Sequence, residues 1–242
     1  MSKQSRKDLQ TFLKEKGFYR GAIDGIFGRG SKQAILDCFQ NKKAKAITPA
    51  QIVQLSKRLG DTSTIRIKAV AKVEANGSGW FNDGRPKILY ERHKFWQFND
   101  DISAPKSTYF NWPSWGNYTT DADKNGVNDS YDKLLKACEF DPRAAFKAIS
   151  IGAFQVLGEY HVHMGFKEPW EMLYASTHDE YEQYLLLVKF IEMKKMQKQF
   201  LALSVHPDTC RPFALLYNGE NYAKHDYHGR LAAAVRYFSN LG

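Results

Sequence analysis

The sequence predicts a mostly α protein: a small three-helix bundle, then a larger α(+β) domain with one small β element. Three observations carry this. Apolar residues recur at helical spacing through most of the 242-residue chain. Only two short stretches, near 80–95 and 150–157, are β-branched or aromatic enough to suggest strands. Hydrophobic residues make up 43% and aromatics 14%, which supports a packed core and excludes a disordered chain.

The elements follow in order. Residues 6–16 place Leu9, Phe12 and Leu13 on one face and end at Gly17, a glycine C-cap. Residues 17–31 hold five glycines in fifteen, too many for continuous secondary structure, so an ordered loop is expected. Ser31 is the expected N-cap of a second helix with Ala34, Ile35, Cys38 and Phe39 inside. Thr48-Pro49 opens a third, with Ile52, Val53, Leu55 and Leu59 inside. Gly60-Asp61-Thr62-Ser63 reads as a linker, giving domains 1–60 and 64–242. Residues 64–75 form a helix with Ile65, Ala69, Val70 and Val73 inward, stopped by Asn76-Gly77. Glu74 therefore lies in its last turn, where a carboxylate opposes the helix dipole. Residues 87–98 suit a strand or a buried helix start. Residues 99–130 are polar and read as a long ordered loop. Helices are expected at 131–138, 142–149, 169–175, 178–203 and about 228–239, with Pro207 and Pro212 breaking the chain between the last two.

Charge is divided unevenly. Residues 1–60 carry 13 Lys and Arg against 4 Asp and Glu, whereas the rest carries 22 of each. The net +9 thus lies in the first quarter and suggests a polyanionic partner there. No nucleic-acid motif accompanies it, so nucleic acid is not the expected partner. Cys38, Cys138 and Cys210 are odd in number and widely spaced, without a CxxC. They imply buried thiols of a protein folded under reducing conditions, not a disulfide or zinc framework. The N-terminus MSKQSRKDLQ lacks a signal-peptide apolar stretch, and no stretch reaches the roughly 20 apolar residues of a membrane span.

The stretch LQTFLKEKGFYRGAIDGIFGRGSKQAILDCFQ resembles a peptidoglycan-binding module over residues 8–40, through Leu9, Gln10, Leu13, the GFYRGAIDGIFG loop, Ser31, Ala34, Ile35, Phe39 and Gln40. Tyr19 and Asp24 are its implied wall-binding residues. Asp24 can also bond nearby backbone amides. Phe18, Ile23 and Phe27 are expected in the core.

Residues 65–239 resemble the lysozyme-like N-acetylmuramidases of modular phage endolysins. Three segments in order carry this: VEANGSGWFNDGRPKILYERHKFW, SIGAFQVLGEYH and LYNGENYAKHDYHGRLAAA. The resemblance implies hydrolysis of the β-1,4 bond between N-acetylmuramic acid and N-acetylglucosamine. Glu74 is the implied general acid. Ser150, Gln155 and Asn218 are implied in the cleft, with Tyr217 supporting Glu74. Protonating a glycosidic oxygen needs an acid that keeps its proton near neutral pH, and burial gives a Glu that property; hen-type lysozyme is the familiar case of the device. The second carboxylate stays open. Glu91 in YERH is first, with pairing to Arg92 or Arg85 as its structural alternative. Asp83, Asp121 and Asp123 follow, or the substrate's own acetamido group could assist. A lytic transglycosylase and a non-enzymatic wall-binding protein are the competing readings.

Residues 121–132 imitate a calcium loop: Asp121, Asp123, Asn125, Gly126 and Asp132 fall at positions 1, 3, 5, 6 and 12. The apolar residue stands at position 7, not 8, and position 12 is Asp, not Glu. No metal or cofactor is expected. The expected partners are peptidoglycan and the anionic bacterial envelope, for a monomer with no membrane insertion. The expected life cycle is synthesis in the host cytoplasm and release to the wall through a holin.

Overall fold

The computed structural model describes residues 2–75, 77–116 and 118–241. It is mostly helical with one small antiparallel sheet, as the sequence predicts. Among the described residues, no helix is long and apolar enough to cross a membrane. The chain forms two compact units, Met1–Ala44 with Trp80–His178, and Lys45–Gly79 with Asp179–Gly242. Both are assembled from separated segments.

The first unit holds α1 (Ser2–Glu15), α2 (Arg29–Cys38), β1 (Ile88–Tyr90), α5 (Arg92–Phe98), α6 (Asp129–Cys138), α7 (Pro142–Lys147), β2 (Ile149–Ile151), β3 (Val156–Leu157) and α8 (Pro169–His178). α1 ends as its glycine requires. Gly17 sits at φ +84°, its N–H reaches Lys14 O at 3.0 Å, and the Phe18 N–H reaches Leu13 O at 2.9 Å. The α2 N-cap is Gly28, not Ser31. Ser31 is buried inside the first turn, with its hydroxyl 3.4 Å from the Gln10 amide. Leu9, Leu13, Ile35, Phe39, Phe146 and Trp170 are fully buried, with the Phe39 and Phe146 rings 5.5 Å apart. Phe27 joins the interior, but Phe18 and Ile23 do not: they are 41% and 38% exposed on the glycine loop. The stretch 87–98 proves to be both expected alternatives in succession, strand then helix. β1 pairs with β2, and β2 with β3, each antiparallel. Gly158 follows β3 where a Cβ would lie 2.0 Å from Phe146 O, so only glycine fits.

The second unit holds α3 (Pro49–Arg58), α4 (Ile65–Glu74), α9 (Glu180–Met193), α10 (Gln197–Leu201), α11 (Pro207–Asn218) and α12 (Tyr227–Ser239). Thr48 caps α3 with the full reciprocal box to Gln51. Leu55 and Leu59 are its inner residues, while Val53 is exposed. α11 corrects an expectation: Pro207 opens it and Pro212 lies inside it. A proline at the first position loses no helical bond. Pro212 does lose one, but its neighbours Cys210, Phe213 and Ala214 are fully buried and hold the helix in place. All three cysteines are buried and free.

Candidate active site

Glu74 is the last residue of α4, whose buried face is Ile67, Ala69, Val70, Ala71 and Val73. Asn76, expected to help stop the helix, lies outside the described residues; Gly77 follows at φ +80°. α4 packs on α12, and Arg230 of α12 donates to Val73 O at 3.0 Å, satisfying a carbonyl at the helix end. Asn218, last residue of α11, donates from Nδ2 to Glu74 Oε1 at 3.2 Å. Burial pushes the Glu74 carboxyl up to about 7. The Asn218 hydrogen bond and the Arg230 charge pull it down without cancelling the effect. The carboxyl therefore titrates close to neutral pH, well above the range of an ordinary Glu. Tyr217 stands beside this group. Its ring lies 5.4 Å from Phe190 and 5.6 Å from Phe213, and its phenol is raised by burial and then by the charge of Glu74. The second unit thus brings together Glu74, Tyr217 and Asn218.

Glu91, Ser150 and Gln155 belong to the first unit. Glu91 precedes α5 and is buried. Its N–H donates to Ala148 O at 2.8 Å, and its carbonyl accepts from Lys94 and Phe95. The carboxylate pairs with neither Arg85 nor Arg92. Arg85 is held by Asp83 at 2.6 Å, and Arg92 clamps the carbonyls of Thr108, Ser114 and Trp115. The contact of Glu91 is His93 Nε2 at 3.5 Å. Its acid is raised, chiefly by burial; Lys94 opposes this and Glu159 adds to it.

The β2–β3 hairpin joins Ser150 and Gln155. The buried Ser150 hydroxyl donates to Gln155 Oε1 at 2.6 Å, and Gln155 Nε2 donates to Gly152 O at 2.8 Å. Gln155 takes φ +51°, a left-handed conformation that costs a non-glycine residue on the order of 1 kcal/mol.

In the N-terminal loop, Tyr19 and Asp24 share one partner that carried no expected role. Gln10 is fully buried. Its Nε2 lies 3.2 Å from the Tyr19 hydroxyl and 3.1 Å from Asp24 Oδ1, and its Oε1 accepts the Gly25 N–H at 2.8 Å. Asp24 Oδ1 also accepts the Ile26 N–H at 2.8 Å, and that bond, then Gln10, lowers its acid. The signal for Gln10 was present: a polar residue between Leu9 and Phe12 on an otherwise apolar helix face.

Fold and site together define a class: a mostly helical, lysozyme-like protein with a protonatable glutamic acid at a helix end. Residues 63–239 match the muramidase (N-acetylmuramidase) profile, and the chain belongs to the N-acetylmuramidase family. It is also similar to the crystal structure of the Burkholderia AP3 phage endolysin, with a TM-score of 0.70 and 27% identity over 97% of this chain and 95% of that one. No curated protein matches it significantly.

Proposed function

We propose that this chain is a phage endolysin that hydrolyses the β-1,4 bond between N-acetylmuramic acid and N-acetylglucosamine in peptidoglycan. Family membership and the similarity to an endolysin support the class. The observation that carries the mechanism is the Glu74 carboxyl, pushed up to about 7 and held by Asn218. Glu74 gives its proton to the leaving glycosidic oxygen. Tyr217 and Asn218 fix its orientation. Glu91 is the second carboxylate, and Ser150 and Gln155 engage the glycan. Residues 1–60 form the wall-binding part, in which Tyr19 and Asp24 meet the substrate. The +9 charge adds attraction to the anionic envelope that weakens with salt. The protein works as a monomer and reaches the wall after release through a holin.

The test is incubation of the full chain and Glu74→Gln with purified peptidoglycan, followed by mass spectrometry of the products. Reducing muramic ends from the wild type, and their loss in the variant, are expected. Anhydro-muramic ends would replace hydrolysis by transglycosylation. Near-normal turnover by Glu74→Gln removes Glu74 from the role of acid.

A further inference from the structure

The 121–132 loop belongs to the first unit, and its fold shows more than its spacing does. Asp129, at position 9 of the loop, is only 4% exposed. Its Oδ1 accepts the Ala122 N–H at 3.0 Å, while its Oδ2 is buried without a hydrogen-bond partner. Asp121 Oδ1 is in the same condition. A buried carboxylate oxygen left without a donor is unfavourable unless a cation meets it. Carboxylate oxygens of Asp121, Asp123 and Asp129 lie within 4.8 Å of one another. Oxygens on opposite sides of a calcium ion stand about 5 Å apart, at roughly 2.3–2.6 Å each from the metal, so one ion can reach all three.

We propose that this loop is a divalent-cation site suited to calcium, with the carboxylates of Asp121, Asp123 and Asp129 as ligands. The donors are all hard oxygens, which favour calcium or magnesium over zinc or copper. The spacing agrees with a calcium loop at positions 1, 3, 5, 6 and 9, and α6 leaves the loop at position 9 as an exit helix does. Asp132 at position 12 is occupied by Asn125 Nδ2 at 3.2 Å. It is also shorter than the usual Glu, which places the site at the weak end of the affinity range. Tyr118, Thr119, Ala122, Asp123 and Asp129 all line one cavity of about 600 Å³ in the first unit, and a bound ion would fix that wall.

The experiment uses the full chain stripped with chelator. Calcium chloride is titrated by calorimetry, and terbium luminescence is read through the nearby tyrosines. About one calcium per chain is expected, with Kd on the order of 10⁻⁴–10⁻³ M. Calcium should raise the wild-type Tm. Asp129→Asn, and separately the pair Asp121→Asn with Asp123→Asn, should weaken binding at least tenfold and abolish that rise. The pair keeps the test decisive if Asp129→Asn fails to fold, because Asp123 is exposed. No saturable binding by the wild type up to about 10⁻² M calcium, or equal binding by the paired variant, overturns the site.

Discussion

Glu74 and Glu91 are both withdrawn from water, and burial raises the acid of each. Their settings differ. Glu91 is tied down at its backbone N–H and carbonyl, and its carboxylate has His93 at 3.5 Å with Lys94 beside it. Glu74 sits at a helix end and receives a hydrogen bond from Asn218. The groups that temper the rise differ: the Asn218 hydrogen bond and the Arg230 charge oppose it at Glu74, whereas at Glu91 Lys94 opposes it and Glu159 adds to it.

The largest effect expected is on Glu74→Gln. Activity on peptidoglycan should fall by about 10²–10⁴-fold, the usual contribution of a general acid. Stability should move the opposite way. The folded-state acid of Glu74 is raised, so the folded chain binds the proton more tightly than the unfolded one. Its ionisation therefore destabilises the fold as pH climbs from about 4.5 to about 7. Gln removes that penalty, and thermal melts above pH 7 should show the variant more stable by about 1–3 kcal/mol. The same acid sets a limb in the rate profile: kcat/KM should fall as pH rises through about 7.

Next is Glu91→Gln. If it serves as the proposed second carboxylate, kcat should fall at least about tenfold while the Tm stays near wild type. If kcat is kept and the Tm drops, Glu91 is an anchor only, and the contrast with Glu74 becomes complete.

Asn218→Ala should act more gently, through Glu74. The Asn218 bond lowers the Glu74 acid, so removing it should move the falling limb of the profile to higher pH. The rate at the optimum should drop only several-fold, about what one positioning hydrogen bond contributes. A profile that stays in place would separate Asn218 from Glu74. The smallest effect belongs to His93→Ala, which removes the 3.5 Å neighbour of Glu91. A loss of about 1 kcal/mol in denaturant melts is expected, with little change in the pH profile of activity.

Much of this site could be read from the chain because its signals are local. The apolar rhythm of 64–75 sets α4, and the helix end fixes where Glu74 stands. Thr48-Pro49 and Gly17 mark helix ends through rules that involve only neighbouring residues. Several of the departures are places where a distant partner decides. Ser31 is drawn inward beside Gln10, which leaves Gly28 at the helix start. Pro212 stays helical because burial of its neighbours outweighs a lost hydrogen bond. Phe18 and Ile23 are apolar but ride on an exposed loop. The assembly of each unit from separated segments likewise depends on long-range packing that no short pattern carries.

The three buried thiols have a consequence for the covalent chemistry of the chain. Burial pushes Cys38 up to about 12 and Cys138 well above its usual value, so neither offers a thiolate for oxidation at neutral pH. Cys210 is fully buried, with its Sγ 3.4 Å from Ser204 O. Buried thiols of this kind are poor partners for oxidation or exchange, so no disulfide is expected to form or rearrange among them.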